Sequence, residues 1–381
     1  MHNDRIEDFR TRLDTLAAGL VREVDQAHAR GIGVSGGFTV LSSTRGVNDV
    51  NVPLDEAGLS FPPEPGDLYL TVSDENGDVR THKISYDPRI QSLSDIATSI
   101  SGIPNINAVV DAQNGQLKIS SMPGYKFDFT GRMETTPDLT GFTGTSVPKF
   151  GGVYAGVENG EFEVRMVGSG TIGATADLKA EVYDQDGRLV AELDVGKGYE
   201  AGRALNIADG VSILFAAGDV VDGESFSTPL VANSDTGNLL SALGLNSFFV
   251  GESSTNIGVS NELIANPTRL AVSVSGEVSD ASNLQRIIDL KDESIIDGQY
   301  GFEQFLGGIS SEIGAAVRSS EGLYEQFQNI QFNYEADRDA VSGVDLNEEM
   351  INLTKYQRAY EASLRVITTI DQMFQDILQI L

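Results

Sequence analysis

The last 38 residues, "VDLNEEMINLTKYQRAYEASLRVITTIDQMFQDILQIL", run from Val344 to Leu381 without a proline or a glycine. Such a run reads as one long helix, because the two residue types that most readily break a helix are missing. Leu346, Met350, Leu353, Gln357, Tyr360, Leu364, Ile367, Asp371, Phe374, Leu378 and Leu381 alternate in steps of four and three, and nine of these eleven are apolar. A second series keeps the same alternation through Tyr356, Ala359, Ser363, Val366, Ile370, Met373, Ile377 and Ile380. One stripe suits a single neighbour; two offset stripes need cover from two sides. The candidate interface is therefore Leu346, Met350, Leu353, Tyr356, Tyr360, Leu364, Ile367, Ile370, Phe374, Ile377 and Leu378. Asp345 and Glu348 fit a D-x-x-E capping box at its start.

Little else in the chain is expected to cover this helix. Ile6, Phe9, Leu13, Leu16, Leu20 and Val24 form one stripe on a first helix, and a helical period returns from Ala281 through Ile309, Ile313, Ala316, Leu323, Phe327, Ile330 and Tyr334. Those two helical regions are expected to cover each other. Between them the period changes to two. "DLYLTVSDENGDVRTHKISYD" reads as a hairpin turning at Asn76-Gly77, and "INAVVDAQNGQLKISS" as another at Asn114-Gly115. A short helix, "SLSDIATSI", lies between the hairpins, with Ser92 or Ser94 as its N-cap. A second β region, with a turn at Asp186-Gly187, precedes a mixed stretch with short helices near Leu239 and Leu263. The fold expected is α+β and multidomain: a coiled-coil-like helical bundle from both chain ends with β-rich domains inserted. Its parts would be a discontinuous helical domain (1–33 and 234–341), a β domain with a ββαββ unit (34–150), a second β domain (151–233) and the terminal helix (342–381).

Composition narrows the function classes. The formal charge is −30, from 26 Lys+Arg against 56 Asp+Glu. Nucleic acid and anionic membrane both require a basic footprint, so neither is an expected partner. The 381 residues contain no cysteine, which removes disulfides and thiolate metal sites. "GSGTIG" (Gly168–Gly173) fits G-x-G-x-x-G, but "ATADLKAEVYD" after it alternates as a strand where a phosphate site needs a helix N-terminus. "SDENGD" and "DQDGR" resemble pieces of a calcium loop, yet both sit between alternating strands and read as hairpin turns. His28 ends the first helix, where an imidazolium would suit the dipole. No catalytic residue, cofactor or metal site is expected. An enzyme is the least favoured class, and a surface adhesin or glycan-binding protein acting through the β domains is the alternative of a different kind.

The terminal residues "SGVDLNEEMINLTKYQRAYEASLRVITTIDQMFQDIL" resemble the C-terminal segment shared by bacterial flagellar rod, hook and hook-associated proteins. The S-G-V-x-L-x-E-E start, the Y-Q-x-A-Y-x-A-S middle and the V-I-x-T-x-D-x-M-F end carry the likeness. "LDTLAAGLVREVDQAHARG" is similar to a helix of the hook-associated members that ends in V-N-x-x-H-x-x-G, with Asp25 at the Asn position and His28 and Gly31 matching. "NSFFVGESSTNIGVSNELIANPTRLAVS" resembles the stretch ahead of their last helices. The resemblance implies a non-enzymatic structural part of the flagellum, exported by the type III route without a cleaved signal. It implies a ring of like subunits between the hook protein and the next hook-associated protein on the filament side, with an export chaperone before assembly. A hook or distal rod protein shares the terminal motif and is the nearest alternative. Members of the family begin with a long helix that pairs with the terminal one, and this chain is expected to start downstream of it, leaving its terminal helix poorly covered.

Overall fold

The computed structural model describes residues 2–277, 279–296 and 298–380. The chain is a mixed α+β protein ending in a long helix. It divides into two compact units, residues 1–309 and 310–381. Among the described residues no helix is long and apolar enough to cross a membrane.

The first unit opens with helix α1 (His2–Ala29). Two hairpins follow, as the Asn-Gly turns require; Gly77 and Gly115 both take the positive φ that such tight turns demand. The strand Gly66–Asp74 pairs with Val79–Tyr86 and, on its other edge, with Tyr125–Asp128. The strand Gln116–Ser121 lies between Ile106–Asp111 and Val40–Ser42. The two hairpins thus belong to separate three-stranded sheets, each completed by a strand outside the ββαββ run. Between them lies α2 (Leu93–Ser101), whose Leu93, Ile96, Ala97 and Ile100 are buried at helical spacing. Ser92 caps it: its hydroxyl accepts from the Asp95 amide while the Asp95 carboxylate accepts from the Ser92 amide. These elements enclose one core, built on Leu68, Leu70, Phe127, Phe129 and the α2 face. Helix α3 (Leu239–Leu243) closes it, with Leu239, Leu240 and Leu243 fully buried.

A second core gathers residues from Met133 to Leu230. A four-stranded sheet, ordered Leu189–Asp194, Lys179–Tyr183, Gly160–Val167, Ser225–Leu230, supplies Phe162, Val164, Val182 and Phe226. A three-stranded sheet of Leu205–Asn206, Val211–Phe215 and Pro148–Gly152 supplies Ile213, Phe215 and Phe150. Phe226 meets Phe150 and Phe215 edge-on at ring distances of 6.0 and 6.3 Å, which stitches the sheets together. The "GSGTIG" run falls between the strands Gly160–Val167 and Lys179–Tyr183, and no helix opens there, so it is a glycine-rich β connection.

Helices α4 (Asn261–Ala265) and α5 (Ser282–Asp289) complete the first unit. Val24 and Ala27 of α1 pack with Leu290, next to Ile287 and Phe249, in a small third cluster. Helix α6 (Phe302–Ser342) starts in the first unit and extends into the second. Its apolar stripe is covered at Ile309, 1% exposed, but open at Leu323, Phe327 and Tyr334, which are 52%, 65% and 72% exposed. Helix α7 (Leu346–Ile380) follows. Every residue from 317 to 378 is exposed, so α6 and α7 do not fold back into a closed pair.

Candidate assembly interface and its anchor

Helix α7 begins at a half-built cap. The Asp345 carboxylate accepts from the Asn347 amide at 2.8 Å. Among the described residues Glu348 does not return the reciprocal bond, so the expected capping box is reduced to a single Asp cap. With Glu348 and Glu349 in the first turn, the charge still favours the helix start. All eleven candidate interface residues are exposed, from Leu364 at 43% to Leu346 at 81%; the others are Met350, Leu353, Tyr356, Tyr360, Ile367, Ile370, Phe374, Ile377 and Leu378. Leu381, the last member of the first series, lies outside the described residues. An apolar surface of this length left in water is unfavourable, since each large apolar side chain gains about 1.5–3 kcal/mol when buried.

At the other end of the chain, the D-x-x-H-x-x-G run has a definite physical meaning. Asp25 is fully buried near the end of α1. One carboxylate oxygen accepts the Phe248 and Phe249 amides, both at 2.9 Å, and the other pairs with the Arg45 guanidinium at 2.8 Å. Burial pushes the Asp25 carboxyl up, and Arg45 with the two amides pulls it back. His28 is also fully buried. Its Nε2 accepts the Ala271 amide at 3.0 Å, so the proton resides on Nδ1, which donates to the Asn246 carbonyl at 2.7 Å. Burial lowers its pKa to about 4. The imidazolium expected at this helix end is therefore absent at neutral pH: a neutral ring bridging two loops replaces a charge on the dipole.

The helix end is capped instead by Asn246. Its side-chain amide donates to the His28, Ala29 and Gly31 carbonyls at 3.2, 3.3 and 3.1 Å. Gly31 is required by close approach: a Cβ there would lie 2.1 Å from Asn283 Nδ2 and 3.0 Å from the Ala271 Cβ. Asn283 in turn donates to the Ala271 carbonyl at 2.8 Å. The three motif positions thus tie α1 to the 246–249 loop, the 271 segment and α5. Arg45, Asn246 and Asn283 are members of this knot that pattern reading does not find.

The pH consequence of His28 has a definite sign. Its folded pKa lies below the ordinary 6.5, so the unfolded chain binds more protons between pH 6.5 and 4. The contribution is complete above pH 6.5 and is lost as pH falls toward 4. At pH 5 the loss is about 2 kcal/mol. Glu134, pushed up to about 7 by burial, acts in the opposite sense over the same range, so the net curve of the whole protein does not isolate His28. The comparison of His28→Gln with the parent does: its destabilisation in urea should be smaller at pH 5 than at pH 7.5 by about 2 kcal/mol. An equal destabilisation at both values would mean that His28 is not neutral in the fold.

The acidic loops are spent on their own turns. Asp74 accepts the Asn76 and Asp78 amides, and Asp184 accepts the Asp186 and Arg188 amides, all within 2.9 to 3.0 Å. Neither carboxylate gathers with others around a cation; among the described residues no group of three His, Asp or Glu side chains is placed to hold one.

Helix α7 is thus left bare on both apolar stripes. Residues 339–380 match the family model described as the flagellar basal body rod FlgEFG protein C-terminal. Flagellar hook-associated protein 1 of Salmonella typhimurium is 28% identical over 128 residues, which cover 33% of this chain and 23% of the relative. The protein of the same name from Bacillus subtilis is 25% identical over 114 residues, covering 30% of this chain and 20% of the relative. The chain thus aligns with less than a quarter of the length of these curated relatives. The flagellar hook junction protein FlgK of Burkholderia pseudomallei aligns over 85% of this chain and 59% of that one at 10% identity, with a TM-score of 0.19, too low for a common superposition. The sequence matches bear out the resemblance of this chain to the flagellar hook-associated proteins.

Proposed function

We propose that this protein is a structural subunit of the bacterial flagellum at the hook–filament junction, required for filament attachment, and that it acts by assembly rather than catalysis. The observation that carries the reading is the coincidence of two facts in one segment. Residues 339–380 match a flagellar C-terminal family model, and that span contains all of helix α7, whose apolar positions are bare. In the assembled state one stripe of α7 packs on a helix of the coiled-coil-like bundle and the other on a neighbouring subunit. The partners are further copies of this chain in a ring, the hook protein on one side and the next hook-associated protein on the other, with an export chaperone holding the bare helix beforehand. The β-rich regions, drawn at 34–150 and 151–233, face outward as insertions in a helical domain made of 1–33 and 234–341. The location is extracellular, on the flagellum.

A hook or distal rod position is supported by the wording of the family description, which names rod proteins. Immuno-electron microscopy separates the two. Gold label should concentrate as one band where hook meets filament; label along the hook shaft or in the rod would overturn the junction assignment.

A further inference from the structure

A cleft of about 930 Å³ opens in the first unit, and three arginines, Arg30, Arg132 and Arg286, line it. That is a notable concentration in a chain with 26 basic and 56 acidic side chains. Arg132 is committed: it pairs with the buried Asp128 at 2.5 Å, although its Nε is buried with no partner. Neither of the other two forms an ion pair among the described residues, although the Asp235 and Glu23 carboxylates act on Arg30 from farther off. Arg30 donates to the Gln26 carbonyl and to Asn233 Oδ1, at 2.9 and 2.7 Å. Arg286, half-buried on α5, donates to nothing among the described residues. The pair also repel: burial first, and Arg286 second, hold the Arg30 pKa below its ordinary value.

Two acids share the lining, and among the described residues neither is in contact with the pair. The Asp280 carboxylate is enclosed by donors of its own loop, accepting the Ser273 hydroxyl at 2.6 Å, the Val274 and Ser275 amides at 3.0 and 2.9 Å and the Ser282 amide at 2.9 Å. Glu277 is exposed. Two guanidinium groups thus stand in a partly desolvated cleft with no carboxylate in contact with them, an arrangement that the oxygens of an anion would complete. Val153 and Tyr154 also line the space and offer apolar surface.

We infer that this cleft is a binding site for a small organic acid, with Arg30 and Arg286 holding its oxyanion and Val153 and Tyr154 its apolar body. A guanidinium pair suits the planar, two-oxygen face of a carboxylate or the oxygens of a phosphate. The inference rests on the cleft alone and does not depend on the flagellar reading.

Isothermal titration of the full chain with glucuronate, glucose 6-phosphate and glucose tests it. At least one of the two anions should bind with a Kd of ~1 mM or tighter, more weakly as salt rises, while glucose does not bind. Preference between the anions distinguishes a carboxylate ligand from a phosphate one. Arg286→Gln should weaken the binding by roughly tenfold or more. The same variant should unfold at the parent temperature or about 1–2 °C above it, since it removes a repulsion and no partner. Failure of both anions to bind, equal binding by glucose, binding unaffected by Arg286→Gln, or a lowered unfolding temperature in that variant would each overturn the assignment.

Discussion

Asp25→Ala should lower the stability of the first unit by about 3–5 kcal/mol, more than any single apolar truncation on α1. One substitution there strands three partners. The Phe248 and Phe249 amides lose their shared acceptor, and the Arg45 guanidinium, 8% exposed at its side chain, loses its nearest counter-charge. Arg45 does donate to the Ser241 carbonyl, and Glu252 lies 3.6 Å from its Nε, but neither replaces a buried carboxylate. Asp25→Asn keeps an oxygen for the two amides but turns an amide donor toward the buried Arg45, so it should cost about 2–4 kcal/mol, less than Asp25→Ala. The order of the two variants is the diagnostic part. Urea unfolding followed by far-ultraviolet circular dichroism measures both. A loss below about 1 kcal/mol for Asp25→Ala would mean that the knot does not hold α1 in place.

That knot also shows where local pattern stops being informative. The helix α2 could be read directly and its cap narrowed to Ser92 or Ser94; the structure selects Ser92, whose bonds with Asp95 close within one turn. The two hairpins were equally local, each announced by an Asn-Gly pair. What completes their sheets was not: Val40–Ser42 and Tyr125–Asp128 are short strands with partners elsewhere in the chain, and no periodicity marks them. The motif positions Asp25, His28 and Gly31 were visible as a likeness, but their meaning was not. Asn246 joins them from the far side of the β region, so its role is a property of the folded chain. His28 shows the same limit. Helix position alone favours a charged ring, and only the Ala271 amide on Nε2 establishes that it is neutral. The cleft arginines are the extreme case, since Arg30 follows the end of α1, Arg286 lies on α5, and nothing in either local pattern sets them apart.

The terminal helix was the most legible element of all, and it supports the largest functional prediction. Leu364→Asp combined with Ile367→Asp should abolish filament attachment while leaving the unfolding curve of the first unit unchanged. The two halves of that expectation follow from different observations. Both side chains are exposed, at 43% and 56%, so neither contributes to a core that unfolding would report. Their value is realised only when another surface covers them. Burying both would stabilise an interface by about 3–6 kcal/mol, and replacing them with carboxylates removes that gain and adds the cost of desolvating two charges. The combined penalty, about 6 kcal/mol or more, corresponds to a loss of over ten-thousand-fold in association. The control is a pair of the same chemistry and spacing outside both series of α7: Thr369→Asp with Gln372→Asp adds the same charge to the same helix but leaves both apolar stripes intact. Cells carrying the control should swim, and cells carrying the apolar-face pair should bear hooks without filaments. Filaments of normal number and length on the latter cells would remove the basis for assigning assembly to this helix. Equal loss in both would trace the defect to helix charge rather than to the apolar stripes.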